Sequence, residues 1–268
     1  MPDRFIQDKI AAVLSAYDDL IENNTRRIAI LEEMARRIYE EWFVRFRFPG
    51  HEQVRMVESE LGLMPEGWQV VPATAAIQIN PTTKVPKEGS KPFLPMNYLS
   101  DGSMLITGHE WREGNSGSKF RNGDTLFARI TPCLENGKTG FVQFLPNDYA
   151  AAFGSTEFIV LRSRTLCPEI VYLMARSNSF RDNAIKSMSG ATGRQRVKEA
   201  CFDSFLFARP DRETIEHFAS VSRPMFKAIH TLAKKNANLR TTRDLLLPKL
   251  ISSELDVSHL PEAEAMAT

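Results

Sequence analysis

Along the first part of the chain, Ile10, Leu14, Tyr17, Ile21, Asn24, Ile28, Leu31, Ala35, Ile38 and Trp42 follow unbroken alternating steps of four and three. Neither Gly nor Pro interrupts Asp3 to Phe46, so the pattern predicts one long helix over that stretch. The stripe is narrower than the face a helix lays on a globular core and has the width of a coiled-coil seam. Polar residues such as Asp18, Arg26, Glu33 and Arg37 fill the other faces.

Near the end of the chain, Met225, Ile229, Leu232, Asn236, Leu239, Arg243, Leu246 and Leu250 step by the same rule. Asp211 after Pro210 suits an N-cap, with Glu213 in the first turn. Pro224 predicts a kink or interruption, with a short piece before it and a straight piece after.

The two seams are complementary. In an antiparallel pair the numbers of facing residues have a constant sum. The sum set by Asn24 against Asn236 also places Ile10 on Leu250, Leu14 on Leu246, Ile21 on Leu239, Ile28 on Leu232, Leu31 on Ile229 and Trp42 on Phe218. Tyr17 then faces Arg243, where stacking or a hydroxyl contact tolerates the charge. Paired amides fix the register, because any slip sets an amide against an aliphatic layer. The same seams could instead pair with another chain.

Between the helices, short β-rich runs are broken by Gly, Pro and Asn. Phe93–Leu99, Met104–Thr107, Thr125–Ile130, Gly140–Phe144, Glu157–Leu161 and Phe202–Phe207 read as strands, and Pro168 to about Met188 as a helix. The expected class is α+β: a globular mixed α/β domain at one end of a long antiparallel two-helix coiled-coil stalk. The divisions are a long helix over 1–48, the globular domain over 49–209, a second long helix over 210–255 and a frayed tail over 256–268.

Composition adds limits. The chain has 268 residues, 43% of them hydrophobic and 25% charged, which excludes wholesale disorder. No apolar run approaches the ~20 residues needed to span a bilayer, and Met1-Pro2-Asp3-Arg4 lacks the layout of a secretion signal. Cys133, Cys167 and Cys201 are three in number and widely spaced, against a disulfide framework and for a reducing cytoplasm. The net charge of +1 restricts any nucleic-acid surface to a local patch.

Enzyme signatures fail one by one. Asn80-Pro81-Thr82-Thr83 shares its start with the Asn-Pro-Pro-aromatic loop of amino-methyltransferases but lacks the second Pro and the ring. Gly114–Phe120 has no Gly-Lys-Ser/Thr, and the five His residues show no metal-ligand spacing. Cys133 has no His near it in sequence and reads as a packing thiol rather than a nucleophile.

Binding signals are better. Gly190-Ala191-Thr192-Gly193-Arg194-Gln195-Arg196 is a loop with two guanidinium groups and an amide, the groups that read guanine and adenine; the bland reading is a solvated loop with surface ion pairs. Lys119, Arg121 and Lys138 are candidates for phosphate contact, and Arg129 or Asn136 for polar readout. The bland reading of that cluster is hairpin turns at Gly123-Asp124 and Asn136-Gly137. Gly154-Ser155-Thr156-Glu157 reads as a turn entering a strand, or as a hydroxyl near a phosphate.

Several stretches together resemble the specificity subunit of type I restriction-modification enzymes: Ile30–Phe46 running into Phe48-Pro49-Gly50-His51, Leu61–Trp68, Gly123–Lys138, Ser155–Phe158, Gly190–Val197 and Leu239–Ser252. The resemblance implies a non-catalytic protein. Its target recognition domain would read a short half-site in double-stranded DNA, and its paired helices would act as spacer and docking surface for methyltransferase subunits. Those partners would carry S-adenosylmethionine, this chain itself needing no cofactor or metal, and a motor-nuclease subunit would join for restriction. Family members usually alternate two recognition domains with two helical regions, and this chain has the layout of half of that. The expectation is therefore a homodimer, or pairing with another half-subunit, reading an interrupted site. The Ile10–Trp42 helix is ~48 Å long at 1.5 Å per residue, which corresponds to about 14 base pairs at 3.4 Å each. The other function class open to the sequence is a coiled-coil oligomerising interaction protein with a protein-binding middle domain.

Overall fold

The computed structural model describes residues 4–191, 193–252, 254, 255 and 257. In chain order the elements are α1 (Arg4–Tyr39), β1 (Met56–Ser59), β2 (Gly62–Pro65), β3 (Gln69–Pro72), α2 (Ala73–Ala76), β4 (Ile77–Ile79), β5 (Lys91–Leu94), β6 (Glu110–Arg112) and β7 (Ser118–Arg121). They continue with β8 (Thr125–Ala128), β9 (Thr139–Phe141), β10 (Ala151–Gly154), β11 (Phe158–Ser163), α3 (Pro168–Arg176), α4 (Asn178–Lys186), β12 (Leu206–Arg209) and α5 (Arg212–Ile251). The fold is mixed helix and sheet with a long N-terminal helix. No helix among the described residues is long and apolar enough to cross a membrane. Apart from Val257, the expected tail 256–268 lies outside the described residues.

Contacts group the chain into two units, Glu32–Phe226 and Met1–Leu31 with Lys227–Thr268. In the larger unit, two four-stranded sheets carry the core, ordered β6-β5-β10-β7 and β4-β11-β8-β9. Leu94, Phe120 and Ala152 from the first sheet share one buried cluster with Leu126, Phe158 and Val160 from the second. β8 is buried at every position and β11 at all but its last. Sheets covered on both faces select continuous apolar runs of this kind rather than alternation. The cover on the other side comes from α3, which packs on β8, β9 and β11, and from Phe180 of α4, which lies 5.7 Å from Phe127 and 4.9 Å from Phe202.

Several expected elements are corrected. Met104–Thr107 is not a strand; it forms only a single bridge, Ile106 to Leu99. The run from Phe93 stops as a strand at Leu94, since Pro95 has no N–H to give a ladder and Met96–Tyr98 turn as a 3-10 helix. The helix over 168–188 is two helices, broken where Ser177 takes an extended conformation and accepts a hydrogen bond from Phe180 N–H as N-cap of α4. The last strand begins at Leu206, after a 3-10 turn at Glu199–Phe202.

The first long helix leaves α geometry at Tyr39 for a π-helical turn, Glu40–Val44, ahead of Phe46 in the left-handed region at φ 58°. The wider turn serves an aromatic cluster, in which Trp42 and Phe43 both pack on Phe218, at 5.5 and 4.9 Å. Helix α5 starts where Asp211 Oδ1 accepts from Thr214 N–H at 2.8 Å. It then runs through Pro224 without the expected interruption. The carbonyl deprived of a partner belongs to Ser220, which is exposed to water like Pro224 itself. On the other face Phe218, Ser222 and Phe226 are buried, and their packing offsets the ~3 kcal/mol cost of an interior proline.

Candidate nucleic-acid interface

The loop carrying Arg194, Gln195 and Arg196 follows α4 and lies beside the residues just after β8. Residues 129–131 run beside 195–197: Val197 N–H donates to Arg129 O at 2.9 Å, and Thr131 N–H to Gln195 O at 3.1 Å. Thr131 Oγ1 accepts from Gln195 N–H in return, at 3.2 Å. Ser189 and Arg196 exchange backbone hydrogen bonds of 3.1 and 3.0 Å, closing the loop at its neck. Gly190 and Gly193 supply φ values of +129° and +80° that side-chain-bearing residues rarely adopt. Thr192 lies outside the described residues.

Seven of the candidate residues meet different fates. Arg194 is exposed and Gln195 half-buried, and their side chains have no partner among the described residues. Arg196 pairs with Glu157, its Nη2 2.6 Å from Oε1. The Glu157 carboxyl is held below the usual carboxylate range, first by that hydrogen bond and further by the Arg196 and Arg129 charges, against partial burial. The pair's contribution is thus complete above the ordinary carboxylate range and is lost as pH falls through the lowered folded value. Arg129 donates from Nη1 to Glu199 at 3.2 Å and from Nη2 to Val197 O at 3.3 Å. Lys138 Nζ donates to Leu99 O at 2.8 Å and sits 3.1 Å from Asp101. Lys119 and Arg121 alternate with buried Phe120 on β7 and so project on one side of the strand. Lys119 lines a cavity of ≈ 490 Å³ with Asn80–Thr83, Gly117 and Thr156.

Asn80 and the Ser155 turn have structural work. Asn80 Oδ1 accepts from Val160 N–H at 2.8 Å, with its backbone at φ 47°. Glu157 N–H donates to Ser155 Oγ at 3.1 Å, the turn reading of that segment. Sequence reasoning missed Glu157, Glu199 and Asp101, the acids that engage Arg196, Arg129 and Lys138. Only the tertiary fold brings those pairs together, and no local spacing announces them.

In the smaller unit, Asn24 Nδ2 donates to Asn236 Oδ1 at 2.9 Å. Asn236 Nδ2 in turn donates to Ile21 O and Thr25 Oγ1, both at 3.2 Å. Ile10 and Leu250 share a buried cluster with Leu14 and Leu246 against it. Arg243 differs from expectation: its charge is met by Asp18 and Asp244 rather than by the ring of Tyr17, because a carboxylate offers the guanidinium both charge and acceptors.

No family model matches the chain. It is 28% identical over 273 aligned positions to the type I restriction enzyme MjaIX specificity subunit of Methanocaldococcus jannaschii, covering 95% of this chain and 60% of that protein. It is 31% identical over 148 positions to the type I restriction enzyme EcoAI specificity subunit of Escherichia coli, covering 53% of this chain and 25% of that one. A crystal structure of the type I restriction-modification S subunit from M. genitalium shares the fold with a TM-score of 0.56 at 11% identity, covering 92% of this chain and 61% of that one. The chain is similar to these proteins over most of its own length and spans less than two thirds of theirs.

Proposed function

We propose that this chain is the specificity subunit of a type I restriction-modification system, with a single target recognition domain. The observation that carries this reading is the similarity to a specificity subunit across 95% of the chain. Residues 49–209 are the recognition domain, and 1–48 and 210–255 are the helical spacer regions. Catalysis and S-adenosylmethionine belong to partner methyltransferase subunits, and a motor-nuclease subunit joins for restriction, in the cytoplasm. The interaction-protein alternative explains none of this similarity.

The two long helices form an antiparallel coiled coil that docks the methyltransferase subunits, a reading supported by the Asn24–Asn236 hydrogen bond and the Ile10–Leu250 cluster. Two copies, or one copy and another half-subunit, read an interrupted site. Arg194, Gln195 and Arg196 face bases or phosphates, and Lys119 and Arg121 grip the backbone. Arg129 and Lys138, engaged within the protein, shape the surface rather than reach for phosphate.

Two measurements test the reading. The chain with its methyltransferase partner is expected to hold duplex DNA in a salt-dependent way, and Lys119→Ala to lower the salt slope by about one while weakening all sequences alike. Gln195→Ala is expected to relax one position of the methylation motif, as read by single-molecule sequencing of modified bases. An unsplit motif would rule out the paired half-sites, and absence of salt-dependent retention would rule out DNA recognition altogether.

A further inference from the structure

Arg196 is held so that one edge of its guanidinium is left for a ligand. Nε lies 2.9 Å from Glu157 Oε2 and 3.1 Å from Oε1, and Nη2 lies 2.6 Å from Oε1. A guanidinium carries five N–H groups in a fixed plane, and this contact takes the Nε–H and one hydrogen of Nη2. The end of the fork, one N–H from each Nη, has no partner among the described residues. Two parallel donors of that kind match O6 and N7 of guanine in the major groove, whereas adenine presents its own donor where guanine has O6.

Both partners are fixed from behind. Arg196 is tied through its backbone to Ser189 on one side, next to Val197, whose N–H is bonded to Arg129. Glu157 accepts at its carbonyl from Arg129 N–H at 3.0 Å and donates its own N–H to Ser155 Oγ. The Arg196 side chain remains 49% exposed, while Glu157 is 22% exposed. The neighbouring carboxylate also decides between ligands: its charge opposes a phosphate at this edge and costs an uncharged base far less.

We infer that Glu157 is a positioning residue that presents Arg196 end-on to a guanine, so that the DNA half-site contains a guanine read by Arg196. The inference rests on the specificity-subunit reading and adds to it a base identity and a residue that touches no DNA.

The test uses the full chain assembled with its methyltransferase partner, a pool of duplexes with a randomised block, and the methylation motif in cells. Arg196→Ala is expected to weaken discrimination at one guanine roughly 10- to 100-fold while the other positions keep theirs. Glu157→Ala is expected to lower discrimination at the same guanine by about tenfold, yet to strengthen low-salt binding to unrelated duplex and steepen the salt slope, because a repelling charge is gone. Glu157→Gln, which keeps an acceptor and the shape, is expected to fall between Glu157→Ala and the unaltered chain. A purely structural role would instead weaken every sequence in parallel. The inference is overturned by Arg196→Ala with unchanged preference at every guanine, by a Glu157→Ala loss common to all duplexes, or by a half-site of A·T pairs alone. A complex that selects no sequence at all would bring down the specificity-subunit reading as well.

Discussion

Replacing Asp124 with Ala is expected to destabilise the Glu32–Phe226 unit by about 3–5 kcal/mol, the cost of leaving a buried charge without its partner. The Asp124 side chain is 1% exposed and that of Arg162 11%. Arg162 Nε donates to Oδ1 and Nη2 to Oδ2, each at 2.7 Å, and Nη2 also donates to Thr83 Oγ1 at 2.8 Å. Asp124 Oδ2 accepts in addition from Arg121 N–H at 2.9 Å. The bidentate pair therefore ties together the turn before β8, the strand β11 and the Asn80–Thr83 segment, which shares a cavity wall with Lys119. Loss of the carboxylate leaves a largely buried guanidinium with only Thr83 Oγ1 as side-chain partner. The double variant Asp124→Leu with Arg162→Met removes both charges and is expected to recover most of the loss. Chemical denaturation followed by tryptophan fluorescence, to which the buried Trp42 and Trp68 contribute, measures both. An Asp124→Ala chain within 1 kcal/mol of the original would show that the pair carries no such weight.

What could be read from the sequence follows from how local each interaction is. The long helices α1 and α5 were legible because an unbroken pattern of four-and-three steps runs along each, and none of the patterned residues is exposed. β8 and β11 were legible because burial on both faces demands unbroken apolar runs. The edge strands β1, β3, β6 and β7 were not: they are three or four residues long with exposed positions, too short for alternation to register. The Ser177 break was missed because its cap lies inside a pattern that stays helical on either side. At the candidate site, the cations could be nominated from loop composition, but not sorted. Glu157 lies 39 residues from Arg196 and Glu199 lies 70 from Arg129, so only the fold shows which acid each guanidinium meets.

The second large effect is expected at the amide pair of the smaller unit. Asn236 is 3% exposed and makes three hydrogen bonds, to Asn24, Ile21 and Thr25. Asn236→Leu leaves the Asn24 amide facing an aliphatic side chain, an expected loss of about 1–3 kcal/mol. Changing both residues to Leu removes the conflict and extends the apolar seam, so the double variant is expected to be at least as stable as the original, with a clear coupling term in the double-mutant cycle. Its cost falls on specificity: with no polar layer to misplace, the helices can slip by a heptad or recruit further copies. A heptad is about 10 Å of helix, or roughly three base pairs of duplex at 3.4 Å each. In the proposed complex the spacing between methylated half-sites should therefore blur in the double variant and stay single in the original chain. Unfolding followed by far-UV circular dichroism, sedimentation for the oligomeric state, and the methylation motif check the three consequences separately. If the two single variants and the double variant lose stability additively, the amides do not act as a pair, and the register must be held by the aliphatic layers alone.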